Sequence, residues 1–219
     1  MVAQKYPFEP PSLIYGCSLA KNCYNCSLKL MAEEIHIRNM VCDRCIMAVG
    51  KILGNLGIRP LKIELGTVLT DTVMDSRKKE ELRKALEDYG FALIDDRRSR
   101  TVEKIKTAVI EMVHYGGDMQ GKMNLSAYVS RKCHADYSYL SKLFSEARGM
   151  SIERYYIAQR IERVKELLVY DELSVSEIAY MMNYSSPAHL SAQFKSITGL
   201  SPRQFKSLKK KPLIPLDRI

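Results

Sequence analysis

The chain has 219 residues, enough for one or two domains that each bury a hydrophobic core. Its 46% hydrophobic and 27% charged residues are typical of a folded globular protein and exclude a disordered chain. No segment approaches the roughly 18–20 consecutive apolar residues that a membrane helix needs, so we expect no membrane partner and a cytoplasmic location. In that compartment the six cysteines are expected to be reduced thiols.

The formal net charge of +9 is unevenly distributed along the chain. Counting Lys and Arg against Asp and Glu gives +2 for residues 1–30, zero for 31–98 and +7 for 99–219. A local positive excess attracts a phosphate backbone and releases its counterions. The C-terminal half therefore favours contact with nucleic acid, and a basic surface that only aids solubility is the alternative.

Residues 1–30 are expected to be an irregular leader. Pro7, Pro10 and Pro11 exclude a regular helix there, and no charged segment followed by an apolar run marks a signal peptide. Met31 opens a segment with clearer patterning and is a candidate for the native start.

The pattern of residues 33–96 predicts strand, helix, strand, strand, helix and strand. Apolar residues alternate with polar ones over 61–65, as in a half-buried strand, and residues 77–89 have the periodicity of an amphipathic helix. This order is that of the split βαβ, ferredoxin-like fold, which we predict for a domain over 31–98. Residues 95–100 are predicted to be a polar linker.

Everything beyond the linker is predicted to be helical, so the chain as a whole is expected to be α+β. A helix over 101–115, with Val102, Ile105, Val109 and Met112 inward, precedes two similar helix-turn-helix units. The first spans 125–149 and the second 175–199, and a long apolar-striped helix connects them. We assign 99–211 to this domain and 212–219 to a tail.

Four segments of this half resemble the AraC/XylS type of transcription regulator. Residues 151–168 (SIERYYIAQRIERVKELL) are similar to the connecting helix of that family. Residues 176–179 (SEIA), 194–195 (FK) and 198–205 (TGLSPRQF) are similar to the signature of its second unit. The resemblance implies two recognition helices in successive major grooves of DNA. In the second turn Asn183 replaces the usual glycine, and Asn tolerates the left-handed conformation required there.

Helical geometry assigns an outward face to each recognition helix. In the first, Leu140, Leu143, Phe144 and Ala147 are predicted to point inward, and in the second Leu190, Phe194 and Ile197. Because Ala carries no hydrogen-bond code, we assign base reading to the first unit and positioning to the second. The candidate DNA-contacting residues are Ser138, Ser141, Lys142, Ser145, Ala188, His189, Ser191, Ala192 and Lys195.

Cys42 and Cys45 form the candidate metal site. The segment 40–45 (MVCDRC) resembles the Met-x-Cys-x-x-Cys loop of heavy-metal-associated domains, and 89–91 (YGF) resembles their glycine-aromatic loop. Two thiolates at this spacing suit Cu(I) or another soft metal ion, and the helix N-terminus is expected to favour the thiolate form. A redox pair and an unliganded interaction domain remain open alternatives, as do Cys17, Cys23 and Cys26 as extra ligands.

These features favour a sequence-specific DNA-binding transcription regulator of the AraC type, controlled by the metal or thiol state of its N-terminal domain. The alternatives are a metal-trafficking protein with a basic helical domain, and a regulator whose N-terminal domain only makes protein contacts. We expect no enzyme, because no phosphate-binding glycine loop is found and the four histidines form no catalytic motif. Double-stranded DNA is the expected partner, with RNA polymerase and a second copy of the chain as further candidates.

Overall fold

The computed structural model describes residues 32–115, 124–208 and 212–219. The predicted leader over 1–30 lies outside these described residues.

The N-terminal part is a four-stranded sheet with two helices. The strand order is β2-β3-β1-β4 and every neighbouring pair is antiparallel. In chain order the elements are β1 (Glu33–Arg38), α1 (Asp43–Asn55), β2 (Pro60–Glu64), β3 (Thr67–Thr70), α2 (Ser76–Glu87) and β4 (Ala92–Ile94).

The hairpin between β2 and β3 depends on Gly66. This residue has a φ of +78°, and its carbonyl accepts from the Ile37 amide at 3.0 Å. A Cβ at Gly66 would lie 3.2 Å from the Thr107 hydroxyl oxygen, in the helical half of the chain. Glycine is therefore required by the backbone conformation, and the close approach of the helical half adds to that requirement.

The C-terminal part is helical. No helix among the described residues has the length and hydrophobicity needed to span a membrane. Its elements are α3 (Arg97–Ile110), a π-helix (Glu111–Tyr115), α4 (Leu125–Cys133), α5 (Tyr137–Arg148), α6 (Ile152–Tyr170), α7 (Val175–Met181), α8 (Pro187–Thr198), α9 (Pro202–Lys206) and a 3-10 turn (Leu216–Arg218).

The predicted linker over 95–100 is wrong, because most of it forms the first turn of α3. The Asp96 carboxylate accepts from the Ser99 amide at 2.8 Å and caps the helix. A cap of this kind satisfies an amide that would otherwise lack a partner, and it allows a helix to begin within a polar, charged segment. The four predicted inward residues of the following helix are buried, at Val102, Ile105, Val109 and Met112.

Each helix-turn-helix unit has its own hydrophobic cluster, and α6 contributes to both. In the first cluster the rings of Phe144 and Tyr155 lie 5.5 Å apart. In the second the rings of Phe194 and Phe205 lie 5.6 Å apart. The connecting helix therefore joins two separately packed units.

The sheet packs on the helical part through α3. The Asn39 amide donates to the Glu103 carboxylate at 3.1 Å, and the Asn39 side chain donates to the Gly90 carbonyl at 2.9 Å. Asn39 has a φ of +71°, which Asn tolerates better than most residues. Glu103 is itself paired with Lys106 at 3.2 Å, and both side chains are at least nine-tenths buried. The segment that leads to the two cysteines is thus bonded to the helical part.

Candidate nucleic-acid interface

The first unit is built from α4 and α5. The Asn124 side chain caps α4 by accepting from the Ala127 amide at 2.8 Å. His134 ends that helix in the left-handed conformation, with a φ of +52°, so the chain turns sharply into α5. Three of the predicted inward residues of α5 are buried, at Leu140, Leu143 and Phe144.

The outward face of α5 carries the predicted base-reading side chains. Ser138 and Lys142 are exposed, whereas Ser141 and Ser145 are half-buried. The predicted inward position of Ala147 is wrong, because the residue lies in the exposed last turn of the helix.

Sequence reasoning missed Tyr139, whose side chain is 55% exposed on the same helix. Its spacing of three residues from Lys142 places the two on neighbouring positions of one face. The three-residue spacing from Lys142 could have identified Tyr139 from the sequence alone.

The second unit is built from α7 and α8. The Ser174 and Glu177 side chains form a reciprocal capping box at the start of α7. Asn183 has a φ of +52°, so the prediction that Asn supports the left-handed turn is confirmed.

Arg160 of the connecting helix holds this second turn in place. Its guanidinium donates to the Met182 carbonyl at 2.5 Å and lies 4.0 Å from the centre of the Tyr184 ring. A cation over an aromatic face adds to the hydrogen bond. Arg160 therefore positions α8 relative to α6, a role that sequence reasoning did not identify.

Four of the five residues predicted for α8, namely Ala188, His189, Ala192 and Lys195, are exposed. Ser191 is half-buried and its hydroxyl donates to the Pro187 carbonyl at 2.8 Å. The predicted inward position of Ile197 is wrong, because its side chain is 49% exposed near the end of α8.

Lys142 and Lys195 lie on the outward faces of the two recognition helices. Neither forms an ion pair or a side-chain hydrogen bond with any residue in the described ranges. By contrast, Lys132 is paired with Glu111 at 2.5 Å. The two recognition-helix lysines are therefore able to contact phosphates or base edges without breaking an internal ion pair.

Cys42 and Cys45 stand at the start of α1, with their sulfur atoms 3.4 Å apart. Burial raises the pKa of the Cys45 thiol and outweighs the backbone amides of Val41 and Cys42, which favour the thiolate form. Within the described ranges, no three His, Cys, Asp or Glu side chains are grouped so as to hold a metal ion. The cysteines considered as extra ligands, Cys17, Cys23 and Cys26, lie outside those ranges.

A family model described as a helix-turn-helix domain matches residues 129–207. Two regulators of Bacillus subtilis (strain 168) are similar in sequence. The uncharacterized HTH-type transcriptional regulator YtdP is 22% identical over 171 residues, covering 76% of this chain and 22% of its own length. The uncharacterized transcriptional regulatory protein YesN is 30% identical over 148 residues, covering 65% of this chain and 39% of its own length. The chain thus spans well under half the length of these relatives.

Among solved structures, the C-terminal domain of AraT, a response regulator from Geobacillus stearothermophilus, is 25% identical with a TM-score of 0.44. The match covers 54% of this chain and 91% of that domain. The family match spans α5 to α9, including the two turns and the two recognition helices described above. The helical half of this chain therefore contains a helix-turn-helix domain.

Proposed function

We propose that this chain is a sequence-specific, double-stranded DNA-binding transcription regulator. This proposal rests on the pair of helix-turn-helix units joined by α6. Each unit exposes, on its second helix, a lysine that forms no ion pair with any described residue. The charge of +7 over residues 99–219 supports a polyanionic partner. The names of YtdP and YesN as transcriptional regulators support the same role.

The two units divide the work of recognition. Ser138, Ser141, Lys142 and Ser145 of α5 supply hydrogen-bonding groups for base edges, and Tyr139 adds an aromatic surface beside them. On α8, Ala188 and Ala192 offer only apolar contacts, and the Ser191 hydroxyl is already bonded within the helix. The second unit therefore positions the protein, with Lys195 as a phosphate contact and His189 beside it.

The N-terminal sheet and its thiol pair are the regulatory part. The strand order β2-β3-β1-β4 supports the ferredoxin-like assignment, and Cys42 and Cys45 have sulfurs close enough to share one soft ion. Two sulfurs satisfy Cu(I), whereas Zn(II) requires further ligands. Bound Cu(I) would supply a fixed cross-link between the loop and the first turn of α1.

The loop over residues 39–42, called the thiol loop here, is bonded to the helical part on both sides of Met40. Asn39 donates to Glu103, and the Val41 carbonyl accepts from the Tyr115 hydroxyl at 3.2 Å. A change at the cysteines therefore reaches the DNA-binding half through a contiguous set of contacts, which favours regulation over metal trafficking. RNA polymerase and a second copy of the chain stay proposed partners.

The DNA-binding role is tested by selecting duplexes from a randomised library with the full chain. Enrichment of a common motif is expected, and failure to enrich any sequence would overturn the proposal. The regulatory role is tested by titrating Cu(I) under reducing conditions and measuring affinity for the selected duplex. Uptake of Cu(I) that changes this affinity is expected for the wild type and not for the Cys42→Ser/Cys45→Ser variant. Absence of uptake would overturn the metal assignment while leaving the DNA-binding role intact.

A further inference from the structure

The segment over residues 212–219 lies along the connecting helix α6. The Lys165 ammonium donates to the Pro212 carbonyl at 3.4 Å, and the Ile214 amide donates to the Glu162 carboxylate at 2.5 Å. Further along, the Gln159 side-chain amide donates to the Leu216 carbonyl at 3.2 Å. The segment therefore runs antiparallel to α6.

The α6 partners of this segment are buried polar side chains. Gln159, Glu162 and Lys165 are all less than one-tenth exposed, and Glu162 pairs with Lys165 at 2.8 Å. A buried polar group is costly to leave without a partner, so main-chain groups of residues 212–216 satisfy a real requirement of α6. The segment is therefore part of the domain, whereas the sequence predicted a tail outside it.

The far end of the segment reaches the first unit. The Arg148 guanidinium donates to the Ile219 carbonyl oxygen at 3.0 Å, and Arg148 is the last residue of recognition helix α5. The Ile219 side chain packs against the hydrophobic cluster of the first unit. The segment thus begins beyond α9, which packs in the second unit, and ends on the first.

We infer that residues 212–219 are a strap that fixes the relative orientation of the two recognition helices. The strap thereby sets the spacing between the two half-sites that the chain accepts. This inference rests on the proposed DNA-binding function. The connecting helix has 19 residues and is about 28 Å long, somewhat shorter than the roughly 34 Å of one DNA turn. A small rotation between the units would therefore shift one recognition helix relative to its groove.

Two neighbouring residues of the strap provide a matched pair of variants. Leu213 and Ile214 are 46% and 47% exposed, but only the Ile214 amide has a partner among the described residues. Proline at either position removes the amide hydrogen. Ile214→Pro therefore breaks the bond to Glu162, whereas Leu213→Pro breaks none that the structure describes. Ile219→Ala weakens the far end of the strap and serves as a second variant if Ile214→Pro fails to fold.

The experiment compares two duplexes bound by the full chain. One is the duplex that the wild type selects from a randomised library, and the other carries two extra base pairs between its two protected segments. We expect the wild type and Leu213→Pro to bind the lengthened duplex at least tenfold more weakly. The ratio of the affinity for the selected duplex to that for the lengthened duplex is the measured quantity. For Ile214→Pro and Ile219→Ala we expect this ratio to be at least threefold smaller than for the wild type.

Equal weakening on both duplexes would indicate a merely stabilising role and would overturn the inference. The inference would also be overturned if a folded Ile214→Pro or Ile219→Ala variant kept the wild-type ratio. It would be overturned as well if the wild type bound the two duplexes with equal affinity. A wild type that selects no duplex would instead overturn the proposed function.

Discussion

The hydroxyl of Tyr115 donates to the carbonyl of Val41 at 3.2 Å, across 74 positions of the chain. Tyr115 ends the π-helix that follows α3, and Val41 directly precedes Cys42. Burial, with the nearby Cys42 and Asp43, raises the pKa of Tyr115 to about 12, so the hydroxyl keeps its proton and acts as a donor near neutral pH. This bond joins the thiol loop to the helical half of the protein.

Replacing Tyr115 with Phe removes that hydrogen bond and little else. We expect the free energy of unfolding to fall by about 0.5–1 kcal/mol, the net value of a partly exposed hydrogen bond. Urea denaturation measures the loss. Tyr89→Phe is the matched control, because Tyr89 is 63% exposed and its hydroxyl forms no hydrogen bond with any described residue. Equal losses for both variants would contradict the role given to Tyr115.

Breaking the buried Glu103–Lys106 pair of α3 should lower the free energy of unfolding far more than removing the Tyr115 hydrogen bond. Lys106→Met leaves the Glu103 carboxylate buried with the Asn39 amide as its remaining donor. We expect a loss of about 3–5 kcal/mol in the free energy of unfolding. The control is Lys62→Met, because the Lys62–Glu64 pair is more than half exposed and should contribute less than about 1 kcal/mol. Similar losses for the two lysine variants would refute the argument.

Much of the architecture follows from local patterns. Alternation over residues 61–65 and helical periodicity beyond residue 100 are properties of neighbouring residues, so they are visible in the sequence. The order of strands and helices in the N-terminal part, and both turns of the helical part, were predictable for this reason.

What the sequence did not predict depends on contacts distant along the chain. The strap lies on α6 because its main chain bonds to the buried polar side chains of Gln159, Glu162 and Lys165. No local sequence pattern predicts these contacts. Ala147 and Ile197 were misplaced because helical spacing continues to the end of a helix even where the packing surface beneath it has ended. The raised pKa of Cys45 likewise depends on burial, which spacing alone does not reveal.

Stability should decline in mild acid because of two buried histidines. Burial lowers the pKa of His36 and of His114 below the value of about 6.5 that an unfolded chain gives them. Between that value and their folded pKa values, the unfolded chain binds protons that the folded chain does not. The free energy of unfolding is therefore expected to fall as pH drops below about 6.5.

Urea denaturation at pH 7.5, 6.5 and 5.5 measures this dependence. His114→Gln removes one of the two groups and should flatten the decline. A wild-type stability that stays constant or rises as pH falls over this range would contradict the assignment.

The two recognition-helix lysines should differ in their effect on DNA binding. Lys142→Ala is expected to change which duplexes are preferred, because it removes a donor to base edges. Lys195→Ala should weaken binding to all sequences alike and reduce the salt slope by about one. Lys84→Ala, on the exposed side of α2, is the control and should change neither property. Identical, sequence-independent losses for Lys142→Ala and Lys195→Ala would contradict the division of work between the units.

The most direct test of the central claim is the affinity of the full chain for its selected duplex and for a scrambled duplex of the same composition, measured over a range of salt concentrations. We expect the selected duplex to bind about a thousandfold more tightly or better. Both affinities should fall linearly on a logarithmic plot against salt, because both include phosphate contacts. Equal affinity for the two duplexes, or affinity that does not change with salt, would contradict sequence-specific DNA binding by this chain.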